Sequence, residues 1–576
     1  MKKPEYKISN VDQMDPFLMS LTSSDNHWMF ISSNGALTAG REKADYSLFP
    51  YITDNLIHSS LNTTGPTTTI EIYKNNDKLD TWYPLSYLPP RHNIEKNLYK
   101  DALGDNILFE EINKDLNITF RYQWLTSREY GFIKRTELVN NSNEELNFKI
   151  IDGIQNILPS GLDVQTQQSL SNLSNAYKHS EIIKGTKLGI FSLGSLIMDR
   201  PDPGEALNAN TVWVRSDINF KPSLSLPNKT SANIYDEVLT GVPGSYFINS
   251  QITLEQNQEA EWDIILDVNQ NHDSVVALNE KINFIKNEID ISIEQNHLAL
   301  IKYLGSADGF QLTSSKNNTL HHTSNVLFNI MRGGIFVHNY DINKPDFIKF
   351  LKLRNKNIYH SIVGALNQLN EKATIGELIN FGESQKDPSF TRLCYEYLPL
   401  TFGRRHGDPS RPWNKFNIKV NDGDSVLYYH EGNWRDIFQN WEGLVISYPK
   451  SLPSIISKFL NATTKDGYNP YRINKEGIDW EVVDEDDTWS HIGYWNDHQI
   501  IYLLKLLEAQ WQIDRSFILD SLNKKMFSTA NVPYKIRNDD EILKDPKNTI
   551  DFDHALHQKI MNNVKKIGTD ARLVLD

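Results

Sequence analysis

Cysteine and long apolar runs are almost absent from this chain. Its 576 residues include one cysteine, Cys394, which excludes an internal disulfide and a cysteine-based metal cluster. The longest apolar runs, such as residues 499–507, fall far short of the roughly 20 residues that a membrane span requires. The lysine-rich segment 1–10 has no apolar character, so no secretory signal is predicted. These absences predict a cytoplasmic protein without a membrane partner.

Basic residues are fewer than acidic residues. The chain has 59 Lys+Arg against 73 Asp+Glu, a formal net charge of −14, which argues against nucleic acid or an anionic membrane as a partner. A hydrophobic content of 39% with 11% aromatic residues excludes a disordered chain. At about 100–200 residues per domain, the length predicts two to four domains.

The first half of the chain has the two-residue period of β-strands. Residues 117–124 alternate between polar and apolar side chains, which places the apolar ones on one face. The same alternation recurs at 262–267 and, in a shorter version, at 69–73. Polar turn clusters, and no helical pattern, separate these runs. Residues 1–273 are therefore predicted to form a large antiparallel β-sandwich.

The hydrophobic period changes near residue 274. Ser274 is suited to cap a helix in which apolar residues recur at spacings of three and four as far as Ile289. We expect a helical linker at 274–314 and an α domain at 315–576. Further helices are predicted at Ser324–Met331, Pro345–Leu353, Ile358–Leu369, Ser451–Leu460, Gln499–Gln510 and Thr549–Ile567.

Tryptophan is concentrated in the second half. Seven of the 12 tryptophans lie between residues 413 and 511. Indole faces stack on the apolar faces of sugar rings, while carboxylate and guanidinium groups bind the ring hydroxyls. Core packing between helices is the alternative for any single tryptophan. For the cluster with its polar neighbours, we favour a carbohydrate-binding cleft.

Two segments, 428–443 and 488–499, combine these aromatics with polar side chains. Residues three or four apart on a helix share a face. Side chains of the first segment at such spacings, for example Arg435 and Gln439, can therefore bind the same ligand. A helix start with a surface ion pair is the alternative there, and a helix cap is the alternative for Asp497. The predicted sugar-binding residues are Trp434, Arg435, Asp436, Gln439, Asn440, Trp495, Asp497 and His498.

No metal site is predicted. His491 and His498 do not form a His-Glu-x-x-His zinc signature, and the acidic run 484–487 lacks the ligand spacing of a calcium loop. Segment 404–414 has three arginines and a histidine, which can hold a phosphate or simply balance an acidic protein.

At these residues the chain resembles the cellobiose/chitobiose phosphorylase family. The family signature Tyr-Arg-Asp-x-x-Gln-Asp is similar to residues 434–440, although Asn440 stands where the family commonly has Asp. The family's Trp-Asn-x-Tyr and Asp-Asp-His-Leu-Trp-Leu segments resemble residues 413–416 and 496–501. The family order of β-sandwich, helical linker and (α/α)6 barrel also matches the change of period near residue 274.

This resemblance implies inverting phosphorolysis of a β-linked di- or oligosaccharide to a sugar 1-phosphate. Inorganic phosphate is then the co-substrate and no cofactor is needed. Arg435 and Asp436 would line the sugar subsite on the non-reducing side of the scissile bond. An inverting hydrolase, with Asp436, Glu442 or Asp479 as its base, and a non-catalytic carbohydrate-binding or scaffold protein remain the alternatives.

The expected barrel is incomplete within this sequence. About 260 residues follow residue 314, room for roughly seven or eight of the twelve helices in an (α/α)6 barrel. Residues 495–497 copy the family's Trp-Asn-Asp acid motif, but their surroundings match an earlier helix, and 552–576 resembles the helix before that motif. We therefore expect the general acid beyond residue 576 and leave the catalytic residue unassigned. The implied partner is a second copy, or a chain that supplies the rest of the barrel.

Overall fold

The computed structural model separates into two compact units. One comprises residues 1–302 with 407–418, and the other comprises residues 303–406 with 419–576. The predicted domain boundaries near residues 273 and 314 stay a prediction. The structure describes residues 4–52, 55–75, 77–169, 171–197, 204–226, 237–336, 338–401, 416–422, 425–465, 467–470, 472–485, 488–492 and 499–574.

The first unit is rich in antiparallel β-sheet, as the alternating pattern predicts. Its ten-stranded sheet has the spatial order Tyr6–Ser9, Ile94–Lys100, Ile107–Asn113, Ile118–Ser127, Gly131–Asn140, Glu259–Asn271, Asn208–Arg215, Gly189–Leu193, Lys178–Ile182, Val238–Thr240. A five-stranded sheet has the order Lys221–Ser223, Gly244–Leu254, Leu146–Ile157, Gly65–Lys74, Asp77–Trp82. A three-stranded sheet consists of Leu18–Leu21, His27–Ser32 and Leu37–Arg41.

One apolar core joins residues of the ten-stranded and five-stranded sheets. Phe120, Tyr122 and Trp124, alternate residues of one strand, are buried in it together with Ile70 and Ile72 from the five-stranded sheet. This arrangement confirms the predicted two-residue period. It follows because alternate side chains of a strand leave the sheet on the same face.

Helices cover part of the opposite face of the ten-stranded sheet. Ile133 and Ile265, on two paired strands, lie in a second apolar cluster with Ile285 and Ile289. The ten-stranded sheet is thus buried on both faces in this region, which polar/apolar alternation alone does not predict.

The predicted helix starting at Ser274 is wrong in its cap and in its continuity. Asn271 is the N-cap, and its side chain accepts a hydrogen bond from the Ser274 backbone N–H at 2.9 Å. The first helix, His272–Lys281, is followed by a 3-10 turn and an extended Ile285 before the second helix, Glu288–Ser306, begins. The chain bends there, which allows Ile282 and Ile285 both to be buried in the second cluster.

The second unit is mainly helical. Its described helices are Lys316–Gly333, Lys344–Arg354, Lys356–Ile362, Ile375–Ser384, Pro388–Glu396, Trp434–Ser447, Leu452–Asn461, Gln499–Ile513, Arg515–Ser521, Asp539–Lys544 and His554–Ile567. Short strand pairs connect them: Ile335–Phe336 with Leu400–Thr401, Asp341–Asn343 with Lys372–Thr374, Asn421–Asp422 with Ser425–Val426, Thr529–Ala530 with Leu573–Val574, and Tyr534–Ile536 with Ile550–Phe552. Closure of these helices into an (α/α)6 barrel stays a prediction.

Three of the six predicted helices are wrong in extent, and the other three are confirmed. The helix predicted at 324–331 runs from Lys316 to Gly333. The helix predicted from Thr549 begins at His554, because Ile550–Phe552 is a strand and Asp553 caps the helix by accepting from the Leu556 N–H at 2.9 Å. The helix predicted at 358–369 ends at Ile362. Across the part of the chain that is described, no helix is both long enough and apolar enough to cross a membrane.

A buried ion pair lies inside the first unit. Lys134 Nζ is 2.7 Å from each carboxylate oxygen of Asp152, and both side chains are fully buried. Asp152 also accepts hydrogen bonds from Trp262 Nε1 at 2.8 Å and from Thr68 Oγ1 at 2.7 Å. Burial lowers the pKa of Lys134, and the Asp152 carboxylate opposes that shift.

We predict that Asp152→Ala lowers the free energy of unfolding by about 3–5 kcal/mol, because it leaves the Lys134 ammonium buried without its counterion. Urea titration followed by tryptophan fluorescence measures the change. Glu144→Ala, which breaks the exposed Lys74–Glu144 pair, is the matched control and should cost less than about 1 kcal/mol. Equal losses in the two variants would contradict the prediction.

Candidate functional site

The first candidate segment lies at the start of one helix in the second unit. Strand Glu431–Asn433 leads directly into helix Trp434–Ser447. The strand pairs with Arg472–Asn474, which in turn pairs with Gly477–Asp479. The local sequence therefore places the backbone of residues 435 and 436 in the first helical turn, beside a three-stranded sheet.

Tryptophans of this helix occupy core positions. The Trp434 side chain is 1% exposed, and its ring centroid lies 5.0 Å from that of Phe438 and 5.1 Å from that of Phe459. Trp441 is fully buried, and its Nε1 donates to the Gly333 carbonyl at 3.0 Å. The core-packing alternative thus describes both residues. The sugar contact predicted for Trp434 stays a prediction.

The polar face of the same helix is only partly described. Gln439 is exposed, and Asn440 is half-buried with its Nδ2 unpartnered in the described structure. Glu442 forms an ion pair with Lys505, at 3.0 Å between Oε1 and Nζ. The structure thus brings Trp434, Gln439 and Asn440 together on one helix.

The other predicted binding residues have side chains outside the described part of the structure. The side chains of Arg435 and Asp436, and the whole of Trp495, Asp497 and His498, lie outside the described residues. So does the basic segment 404–414.

Asp346 ties a neighbouring helix to the sheet at the helix start. Its carboxylate is 2.6 Å from Lys475 Nζ and accepts a hydrogen bond from Tyr397 Oη at 2.8 Å. Lys475 follows strand Arg472–Asn474, and its N–H donates to the His430 carbonyl at 3.0 Å. Burial lowers the pKa of Lys475, and Asp346 opposes that shift. This pair fixes the position of the sheet from which the candidate helix begins.

A second polar cluster surrounds Asp479. Arg572 Nη2 lies 3.7 Å from Asp479 Oδ1, and Trp480 Nε1 donates to His557 Nδ1 at 3.2 Å. Burial, together with the charges of His554 and Arg572, lowers the pKa of His557, so this imidazole favours its neutral form and can accept the indole proton. In this cluster the Asp479 carboxylate lies beside the Arg572 guanidinium.

Sequence reasoning missed a ring of four buried charges. Arg354 Nη1 is 2.6 Å from Glu396 Oε2, and its Nε donates to Asp570 at 2.9 Å. Arg392 closes the ring through Glu396 at 2.8 Å and Asp570 at 2.5 Å. The two arginines lower the pKa of both carboxylates, against the opposing effect of burial. The only local signal was the spacing of Arg392 and Glu396, which are four residues apart.

Comparison with known proteins links part of the second unit to a glycoside hydrolase domain. Residues 336–399 match the model of glycoside hydrolase family 149 insertion domain 1. This segment contains three of the four residues of the charge ring. The match supports a carbohydrate-active protein of the glycoside hydrolase or phosphorylase type, and it does not separate hydrolysis from phosphorolysis. No curated protein matches the sequence significantly.

Similar solved structures include carbohydrate-active enzymes. A protein assigned as a kojibiose phosphorylase from the human microbiome is 11% identical, with 96% of this chain and 68% of that chain covered and a TM-score of 0.33. A bacterial glucoamylase complexed with acarbose is 10% identical, with 88% of this chain and 57% of that chain covered and a TM-score of 0.29. These low scores do not establish a shared fold or function.

We predict that Trp441→Ala lowers the free energy of unfolding by about 3–5 kcal/mol, because it removes a fully buried indole and leaves a cavity. Trp511→Ala removes an indole that is 42% exposed and should cost less than about 1 kcal/mol. Urea titration of the two variants tests the core role of Trp441. An equally small loss for Trp441→Ala would contradict it.

Proposed function

We propose that this chain is part of an inverting glycoside phosphorylase acting on a β-linked di- or oligosaccharide. The observation that carries the proposal is the match of residues 336–399 to an insertion domain of a glycoside hydrolase family. The polar and aromatic residues near the start of helix Trp434–Ser447 support it, because they are of the types that bind sugar hydroxyls and ring faces.

The proposed reaction exchanges one bond at the anomeric carbon for another. A carboxylic acid donates its proton to the glycosidic oxygen as the bond between that oxygen and the anomeric carbon breaks. A phosphate oxygen attacks the same carbon from the opposite face. The products are a sugar 1-phosphate of inverted configuration and a sugar with a free hydroxyl. Phosphate replaces the base-activated water of an inverting hydrolase, so one carboxyl group suffices.

In this proposal, Arg435 and Asp436 bind sugar hydroxyls on the non-reducing side of the bond. Gln439 and Asn440 lie one helical turn further along and extend the same polar face. Trp495, Asp497 and His498 contribute from the second segment. Inorganic phosphate is the co-substrate, and neither a cofactor nor a metal ion takes part.

Hydrolysis is the second candidate, favoured by the glycoside hydrolase description of the matched domain. It needs a base about 6.5–9.5 Å from the acid. Asp436, Glu442 and Asp479 are the carboxylates considered for that role. Lys505 pairs with Glu442 and Arg572 lies beside Asp479, so each of these two carboxylates already has a cationic partner.

The products distinguish these functions. The chain is incubated with β-linked disaccharides and short oligosaccharides, with and without inorganic phosphate, and the products are resolved by chromatography. We expect a sugar 1-phosphate only when phosphate is present. Free sugars formed equally well without phosphate would establish hydrolysis instead. Sugar binding without any product would support the binding-protein alternative, or a catalytic acid supplied by another chain.

We predict that Arg435→Ala and Asp436→Ala each weaken sugar binding about tenfold to a hundredfold. The physical reason is the loss of hydrogen bonds to a charged group, worth about 1.5–3 kcal/mol each. Calorimetric titration with the sugar measures the affinity. Ile446→Ala, at an 82% exposed position of the same helix, is the matched control and should bind normally. Unchanged affinity in both arginine and aspartate variants, with unchanged circular dichroism, would remove this subsite from the proposal.

The proposed assembly is a homodimer or a complex with a chain that completes the barrel. Light scattering coupled to size-exclusion chromatography separates the two cases. A homodimer has twice the 66.4 kDa mass of the chain, whereas a chain that requires a different partner stays at the single mass.

A further inference from the structure

A small cavity adjoins the buried charge ring in the second unit. Its lining includes Arg354 and Glu396 of the ring, together with Lys458 and Asn461. The last two lie three residues apart on helix Leu452–Asn461 and therefore share a face. The cavity volume is about 10 Å³, which is enough for one particle of about the size of a water molecule.

The charges around this cavity do not balance. The ring contributes two guanidinium groups and two carboxylates, which compensate one another. Lys458 adds a fifth charged group that is 2% exposed, and its Nζ has no hydrogen-bond partner in the described structure. The nearby Lys475 is already paired with Asp346 at 2.6 Å. A protonated Lys458 therefore leaves one buried positive charge without a counterion, which is costly.

The unpartnered side-chain atoms on the cavity lining are all donors. They are Lys458 Nζ, Asn461 Nδ2 and Arg354 Nη1. Arg354 Nη1 lies 2.6 Å from Glu396 Oε2 as an ion pair but donates no aligned hydrogen bond. The orientation of the Asn461 amide is set by its Oδ1, which accepts from the Ser528 N–H at 2.9 Å.

Glu396 is the one carboxylate among the lining residues, and it is already engaged. Its Oε1 accepts a hydrogen bond from Arg392 at 2.8 Å, and its Oε2 is paired with Arg354. Two unpartnered donors, Lys458 Nζ and Asn461 Nδ2, lie beside a guanidinium that is engaged only through an ion pair. With the excess positive charge, and with no unpartnered side-chain acceptor among the lining residues, they describe a site for an anion. A water molecule offers only two lone pairs and would leave the charge uncompensated.

We propose that this cavity binds one chloride ion, held by the Lys458 ammonium, the Asn461 amide and the Arg354 guanidinium. The small volume favours a monatomic anion such as chloride over phosphate and sulfate, which carry four oxygens around a central atom. The site is distinct from the proposed sugar-binding residues and does not depend on the proposed function.

The protonation of Lys458 couples this site to pH. Burial, and secondarily the charge of Arg354, lowers the pKa of Lys458 to about 7, with Glu396 opposing and Lys475 adding to the shift. A bound chloride favours the ammonium form, so binding takes up a proton when the pH lies above this value. Chloride affinity should consequently fall as the pH rises above about 7.

The test is thermal unfolding of the whole chain in chloride and in gluconate at equal ionic strength, near pH 6. We expect chloride to raise the unfolding midpoint by about 2–4 °C, because a ligand that binds only the folded state stabilises it. The increment should shrink near about pH 8.5. Broadening of the chloride nuclear magnetic resonance line by the wild-type protein gives a second readout that needs no variant.

Lys458→Met tests the ammonium, because methionine is unbranched and apolar and has no charge to compensate. We expect it to fold and to lose the chloride-dependent midpoint shift and line broadening. Lys505→Met, at an exposed lysine, is the control and should keep both. Asn461→Asp keeps an acceptor for the Ser528 N–H and adds a carboxylate beside Lys458, so it should also be insensitive to chloride.

Three outcomes would overturn the chloride site. The first is a wild-type midpoint and line width that do not respond to chloride relative to gluconate. The second is a Lys458→Met variant that responds as fully as the wild type. The third is a response to inorganic phosphate in place of chloride, which would favour a larger anion site. Absence of phosphorolysis, by contrast, would overturn only the proposed function.

Discussion

A ring of four buried charges is the interaction on which the helical unit depends. Arg354 and Asp570 are 216 residues apart in the sequence, yet their side chains hydrogen-bond at 2.9 Å. Arg392 and Glu396 complete the ring from a third element. Each charge is paired with both opposite charges of the ring, so the loss of any one member leaves a buried charge in excess, which costs several kcal/mol. The ring therefore ties the segment after helix His554–Ile567 to two helices that precede it by many residues.

Helix Leu452–Asn461 lies between this ring and the candidate sugar-binding helix Trp434–Ser447. Lys458 and Asn461 face the cavity beside the ring, while Phe459 of the same helix packs on Trp434 and Phe438. One helix thus has a polar contact with the charge ring and an aromatic contact with the candidate helix. Trp434 therefore serves to pack the candidate helix against helix Leu452–Asn461, although tryptophan is also a residue type that binds sugars.

Most element types were predictable from the sequence, whereas their ends were not. The two-residue and 3.6-residue periods are local, so the strand Ile118–Ser127 and the helix Gln499–Ile513 were identified correctly. Ends depend on partners elsewhere. Ile550–Phe552 is a strand because Tyr534–Ile536 pairs with it. The start of His272–Lys281 is set by a local cap that hydrophobic spacing does not register, because the Asn271 side chain accepts from the Ser274 N–H. The sequence predicts which types of residue form the candidate site. It does not predict how their side chains are arranged in space.

The sequence by itself determined the order of a strand-rich half and a helical half and the position of polar and aromatic residues along them. Those properties follow from local periodicity and composition. Only the tertiary structure decided that Trp441 is core, that Arg354 meets Asp570, and that Lys458 is buried with no hydrogen-bond partner among the described residues. Compensation of a buried charge depends on which distant segments pack together, and no local pattern in a chain encodes that choice.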